Sequence, residues 1–189
     1  LAVVDGALAC IARHGLRKTT VEDVAVASGL SRATLYRVFP GGRDAIVAAV
    51  AETELARYFS ALAVAMGSAS TLEDLLVAGI RESARRYLDS ALITALLAEE
   101  PWTVLRHGSV GEMDRTLSTA SSFAEPFFVR WLEPEQARRA VEFAARVVVS
   151  YLVDPDPVIE LSDEAAVRSL VQRFVLPGVE ALRGDELLG

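Results

Sequence analysis

The sequence predicts an all-α chain in which a small N-terminal module of three helices is joined to a larger helical body. Three observations lead to that class. Apolar residues recur at intervals of three and four along most of the chain, hydroxyl-to-carboxylate capping tetrads precede two of these runs, and no apolar/polar alternation of the strand type is present. A hydrophobic content of 52% against 24% charged residues suits a chain that buries a core and argues against disorder. At 189 residues, one or two folding units are plausible and three are not. Apolar stretches such as 92–98, interrupted at Thr94, and 147–149 fall far short of the roughly 18 residues of a spanning helix, as does the longest unbroken run, 45–51. No membrane partner is expected.

The elements follow in order. Val4, Leu8, Ile11 and Ala12 keep helical spacing, and His14-Gly15 closes this first helix because glycine accepts the left-handed conformation of a helix cap. Thr19-Thr20-Val21-Glu22 reads as a capping box, so a second helix starts there, buries Val21, Val24 and Ala25, and stops before Gly29. Ser31 is the expected N-cap of a third helix of two turns, ended at Phe39 by Pro40-Gly41-Gly42. From Asp44 a helix of roughly 23 residues, about 34 Å at 1.5 Å per residue, runs to Met66 and can link two bodies. Ser70-Thr71-Leu72-Glu73 is a second capping box, followed by Leu75, Leu76, Ile80, Ala84 and Leu88 on helical spacing. Further helices are expected over 91–105, bent or split at Pro101, over 113–132 with Pro126 inside, from Pro134 onward, and over 162–176. Asp154-Pro155-Asp156-Pro157 reads as a rigid loop before the last of these.

Composition narrows function by exclusion. The single Cys10 excludes an intrachain disulfide and a cysteine-cluster zinc site, and His14 and His107 alone do not build a histidine-rich one. Neither a metal nor a cofactor is expected. With no glycine-rich phosphate loop, no G-x-S-x-G elbow and no His/Cys cluster, an enzyme is the least supported class; Glu99-Glu100 and Asp163-Glu164 read as helix-end or surface charge. No secretory-type series opens the chain, and a lone thiol suits a reducing compartment, so a cytoplasmic location is expected. The chain begins with Leu1 rather than Met, which leaves room for residues ahead of it.

The net charge of −7 is unevenly divided. Residues 1–43 carry Arg13, Arg17, Lys18, Arg32, Arg37 and Arg43 against Asp5, Glu22 and Asp23, a net +3, which leaves −10 on the remainder. A basic module on an acidic body is the distribution of a reader of double-stranded DNA joined to a domain with another task, although three charges alone are weak evidence. The second helix, the Gly29 turn and the third helix supply the stronger signal, the pattern of a helix-turn-helix. At 100° per residue, Leu35, Val38 and Phe39 share one arc, while Ala33 and Arg37 lie opposite, flanked by Arg32, Thr34 and Tyr36. Ala33 is small enough for close approach to bases, Thr34 and Tyr36 offer hydroxyls to phosphates, the arginines fit guanine edges or the backbone, and the helix start at Ser31 favours a phosphate.

Thr19-Thr20-Val21-Glu22-Asp23-Val24-Ala25 followed by Gly29-Leu30-Ser31-Arg32-Ala33-Thr34-Leu35-Tyr36-Arg37-Val38-Phe39 resembles the TetR-type transcriptional regulators. The likeness is specific over about residues 1–50; beyond them only helix number, helix lengths and all-α composition are similar. The resemblance implies a DNA-binding domain over 1–43 and an effector-binding and dimerisation domain over 44–189. It implies that Thr20, Arg32, Ala33, Thr34, Tyr36 and Arg37 meet DNA, with Thr20, Thr34 and Tyr36 chiefly at phosphates. It further implies a homodimer built from the last two helices, and a mechanism in which a small-molecule effector tilts the linking helix and changes the spacing of the two reading helices. One departure stands out. The family usually carries a phosphate-holding lysine just before the fourth helix, where this sequence has Gly42 with Arg43 beside it; either Arg43 replaces the contact or affinity is lower. An all-helical interaction protein without specific operator binding is the alternative that this departure and the net acidity leave open.

In the body, the helix from Pro134 presents Ala137, Ala140, Val141, Ala144, Val147, Val148 and Tyr151 on one broad face, and the last helix presents Val167, Leu170, Val171, Phe174 and Val175. Part of each stripe closes the core. The outer flanks are expected to form a twofold interface, with Val141, Ala144, Val148, Tyr151, Val167, Leu170, Val171 and Phe174 as candidates. Aromatic residues concentrate between 102 and 151, which makes the central helices the candidate place for a pocket. Taken singly each ring reads as core; as a group, Trp102, Met113, Phe123, Phe127 and Trp131 are candidates to line a cavity for an apolar or amphipathic effector. His107 reads as a water-exposed loop residue, with a polar anchor as the alternative, and His14 and Cys10 as structural.

Overall fold

The computed structural model describes residues 2–99, 110–153 and 159–182, and the described residues contain helices and no strand. The helices are α1 (Ala2–His14), α2 (Val21–Ser28), α3 (Arg32–Val38), α4 (Arg43–Gly67), α5 (Leu72–Asp89), α6 (Ala91–Glu99), α7 (Val110–Phe128) and α8 (Pro134–Val153). After them come α9 (Glu164–Leu170), a π-helical turn (Val171–Val175) and α10 (Leu176–Ala181). The all-α expectation holds. The expected Asp-Pro-Asp-Pro loop lies outside the described residues.

Both capping boxes form one residue later than the sequence pattern suggests. Thr20, not Thr19, caps α2: its hydroxyl accepts from the Asp23 N–H at 3.2 Å and donates to the Asp23 carboxylate at 2.7 Å, and its own N–H donates to that carboxylate at 3.0 Å. Thr19 has another task, since it is buried and its hydroxyl donates to the Gly15 carbonyl at 2.8 Å, satisfying a group beyond the end of α1. At α5, Thr71 likewise pairs with Asp74 and not Ser70 with Glu73, its hydroxyl accepting from the Asp74 N–H at 3.0 Å and donating to the carboxylate at 2.8 Å.

The chain divides into two compact units, one comprising the described residues of Leu1–Tyr58 and Tyr87–His107, the other those of Phe59–Arg86 and Gly108–Gly189. The first unit closes around Val4, Ala7 and Ile11 of α1, Val21, Val24 and Ala25 of α2, Leu35 of α3, Ile46 and Val50 of α4, and Leu92 and Ala95 of α6. The N-terminal core therefore extends beyond residue 43, where the sequence suggested a boundary. Ile46 and Val50 seal it from α4, and α6 packs on α1. Cys10 is buried in this unit, and burial raises its thiol pKa, as expected of a packing residue. Arg57 adds an exposed tie to Asp5 at 2.8 Å, and Ser90 donates to Glu54 at 3.2 Å.

The second unit buries Leu72, Leu75, Leu76, Val77, Ile80 and Ala84 of α5, together with Ala137, Ala140, Val141 and Val148 of α8. Arg168 of α9 reaches Glu73 at 2.8 Å and Asp74 at 3.0 Å, while Arg81 donates to the Ser162 carbonyl at 3.3 Å. The last helix does not run regularly. Pro177 has no N–H to return to the preceding turn, and the chain widens into a π turn in which the Leu176 N–H donates to the Val171 carbonyl. This turn keeps Val171, Val175 and Val179, spaced by four, all buried; a regular α-helix would rotate such a series steadily off the core.

Candidate nucleic-acid interface

The first unit presents α3 as a short rod attached by one edge. Ser31 starts it, accepting from the Thr34 N–H at 3.1 Å, and its hydroxyl also bonds the Thr34 hydroxyl at 2.9 Å. The turn that aims it depends on Gly29, whose φ of 69° lets the Leu30 N–H reach the Ala25 carbonyl at 3.0 Å and its own N–H reach Val26 at 3.3 Å. This is a Schellman closure, and a side chain at Gly29 would be strained in it.

Leu35 is the anchor, 1% exposed. Phe39 joins it, packed against the same core. Val38, expected on that buried arc, is instead 58% exposed. The helix ends at Val38 ahead of Pro40, so Phe39 leaves helical geometry at φ −121°, ψ 79°, and the bulkier ring takes the inward place. Arg32, Ala33, Tyr36 and Arg37 are all exposed, and Thr34 is half-buried. The structure thus puts the arginines, the small residue and the phenol on one solvent-facing row, with Thr20 exposed at the start of α2.

Four features of this face were not apparent in the sequence. Arg32 Nη1 pairs with Glu22 Oε1 of α2 at 2.5 Å, both side chains remaining about half exposed. Asp23 binds Thr20, whose hydroxyl and N–H hold the carboxyl below its ordinary pKa. Gly42 is buried at φ 60°, and a Cβ built there would lie 3.1 Å from Tyr36 Cε1, so the phenol ring rests against its backbone. Arg43, expected beside a phosphate, turns inward with much of its guanidinium: Nε donates to the Thr19 carbonyl at 3.0 Å, Nη2 to Leu16 at 2.6 Å, and Nη1 to Asp44 at 3.4 Å. No sequence rule links Arg32 to Glu22, Gly42 to Tyr36 or Arg43 to Thr19 across the intervening turns; only the fold brings them together.

Of the expected cavity residues in the second unit, Phe123 and Phe127 meet at 5.7 Å between ring centroids with their planes tilted by 43°, and Phe59 of α4, which periodicity did not single out, meets Phe123 at 4.6 Å. Trp131 is half-buried with the Arg130 guanidinium 5.0 Å from its ring centroid. Trp102 and His107 lie outside the described residues, and Met113 is described only by its place in the backbone of α7. Among the expected interface residues, Val141, Val148, Val167, Leu170 and Val171 are buried within this chain, whereas Ala144 and Tyr151 are half-buried and Phe174 is 66% exposed. The stripes are wider than one contact needs, and the chain's own core takes their centres. Phe143, not among the candidates, stands out at 48% exposed. Among the described residues no His/Cys/Asp/Glu cluster has the arrangement of a metal site, and no helix is long and apolar enough to cross a membrane.

Residues 3–50 match the family model of bacterial regulatory proteins, tetR family. No curated protein matches at the level of sequence. Solved structures similar to this chain over nearly its whole length include the TetR family repressor AlkX from Dietzia sp. strain DQ12-45-1b, implicated in biodegradation of n-alkanes, at 23% identity and a TM-score of 0.60, covering 95% of this chain and 94% of the other. The fatty acid degradation regulator FadR from Bacillus halodurans is similar at 18% identity and TM-score 0.57, covering 92% and 97%. The TetR family transcriptional regulator PfmR from Thermus thermophilus is similar at 17% and 0.57, covering 90% and 94%. These likenesses establish the shared fold.

Proposed function

We propose that this chain, which carries the DNA-binding domain of the tetR family of bacterial regulatory proteins over residues 3–50, is a repressor that a small apolar or amphipathic molecule releases from a palindromic operator. The observation that carries the reading is the row of Arg32, Ala33, Tyr36 and Arg37, open to solvent on a helix whose opposite edge is held by Leu35. A rod so placed enters a major groove with its arginines at base edges or phosphates and its phenol at a phosphate. Thr20, Ser31 and Thr34 supply hydroxyls at the starts of α2 and α3, although part of their bonding capacity holds the caps. Reading a palindrome needs two copies about 34–36 Å apart. We assign the twofold contact to the residues that keep surface on the last two long elements, Phe143, Ala144, Tyr151 and Phe174, because a side chain already covered by its own chain has no area left to bury. The Phe59, Phe123 and Phe127 rings support an apolar effector, which acts only through unequal affinity for the DNA-competent and DNA-incompetent arrangements.

The test is selection of genomic duplexes by the purified protein, followed by mobility shifts of Tyr36→Phe and Arg37→Ala at fixed salt. Both variants are expected to keep the parent's oligomeric mass and to bind the selected palindrome more weakly, the arginine variant by about 1–3 kcal/mol if it reads a base. Unchanged affinity in both removes the site assignment. Absence of a specific shift at any salt favours the interaction-protein alternative, since a phosphate-contacting reader loses log affinity linearly with log salt.

A further inference from the structure

We propose that Gly42 and Arg43 are positioning residues for the DNA face: Gly42 is the seat on which the Tyr36 ring lies, and Arg43 is a staple that fixes the segment leading into Thr20. The proposal rests on the reading of α3 as the DNA-facing helix and adds what holds its phenol in place. At Gly42 two conditions coincide. Its φ of 60° is one that side-chain-bearing residues rarely adopt, and the missing Cβ leaves room for Tyr36 Cε1 at 3.1 Å from the Cβ position, with Cδ1 and Cζ at 3.9 Å. The ring meets the Gly42 position with its Cε1 edge, and Tyr36 as a whole stays 45% exposed. A lysine at this position would meet both the strained backbone and the ring. The residue that the resemblance leads one to expect would therefore have to push the ring aside by a few tenths of an ångström.

The next residue acts on the other DNA-facing element. Arg43 Nε and Nη2 bridge the carbonyls of Thr19 and Leu16, and Thr20 follows Thr19 directly as the N-cap of α2. A planar guanidinium bridges two acceptors in a way a lysine ammonium does not. Gly42 is itself tied on both sides, its N–H donating to Phe39 at 2.8 Å and its carbonyl accepting from Ile46 at 3.1 Å. One short turn at the start of α4 thus holds the Tyr36 ring and the Thr20 segment together. Contacts of this kind need support that fixes side chains to within about 0.5 Å.

The experiment measures affinity for a selected palindromic duplex in the full chain, with a thermal melt of each variant alongside. Gly42→Asn is the main variant, because asparagine tolerates the left-handed backbone while its Cβ still displaces the ring; Gly42→Ala accompanies it. Each is expected to lose about fivefold in affinity, equivalent to about 1 kcal/mol, and to lose nothing further in a Tyr36→Ala background. Arg43→Lys and Arg43→Gln are both expected to bind more weakly with the slope of log affinity against log salt unchanged. Full affinity in G42N, or a penalty that persists without the Tyr36 ring, overturns the seat. A slope reduced by about 0.9 per subunit in R43Q marks a direct phosphate contact and overturns the staple. Full affinity in Tyr36→Ala itself overturns the reading of α3 and the seat with it, a result distinct from failure of the Gly42 variants alone.

Discussion

Replacing Glu22 by Gln is expected to tighten DNA binding, against the usual result of removing an ion pair. Glu22 holds Arg32 at 2.5 Å with the two side chains 51% and 59% exposed, so the pair sits in water and contributes only about 0.2–1 kcal/mol. On the proposed face that carboxylate also approaches the duplex. At about 8 Å from a phosphate, in a water-like dielectric, the repulsion is about 0.5 kcal/mol. Releasing Arg32 and removing the repulsion together amount to about 1 kcal/mol, or about fivefold in affinity at low salt. Because the screening length is near 10 Å at about 0.1 M and about 3 Å at 1 M, the gain should largely vanish at the higher salt. Fluorescence anisotropy with a labelled operator at both salts measures it. Equal or weaker binding by Glu22→Gln at the lower salt would refute the reasoning, for it would mean either that Arg32 does not face DNA or that Glu22 holds it in its productive pose.

Two further outcomes test the body of the chain. The Ser121 hydroxyl is buried and has no hydrogen-bond partner among the described residues, so Ser121→Ala should stabilise by about 1 kcal/mol and raise the melting temperature by a few degrees; a lower melting temperature would contradict the assignment of an unsatisfied group. Acid should destabilise the protein over a defined window. The Glu82 carboxyl is held below its ordinary range first by Arg85 and also by Arg86, Asp74 by Thr71 and then Arg168, and Glu135 is lowered to about 2 by Arg138 and Arg139. Folded values below unfolded ones mean that this stability is fully present above about pH 4.3 and is lost as pH falls through the folded values. Melting temperatures should therefore drop from about pH 4.3 toward about pH 2, and Glu82→Gln should drop less; an identical pH profile in that variant excludes the contribution of Glu82.

Short-range patterns were sufficient for the helices and for the general place of the DNA face. Intervals of three and four, the caps and the Gly29 turn act within one or two turns of chain, so Leu35 as anchor and Tyr36 and Arg37 as exposed groups could be read directly. Other features required the fold. Thr19 and Thr20 offer equivalent hydroxyls, and the burial of Thr19 against Gly15 selects the other as cap. Val38 and Phe39 lie on the same arc, and the break before Pro40 decides which one turns inward. Val167 and Phe174 belong to one apolar stripe, yet one is wholly covered and the other is 66% exposed. Amino-acid order by itself determined which elements form and which edges are apolar, because those follow from local geometry. Tertiary structure alone decided which of several equally apolar or equally charged groups is enclosed, paired or left open, because that depends on atoms supplied by residues far away along the chain, such as Leu92 against α1 or the Leu16 carbonyl under Arg43.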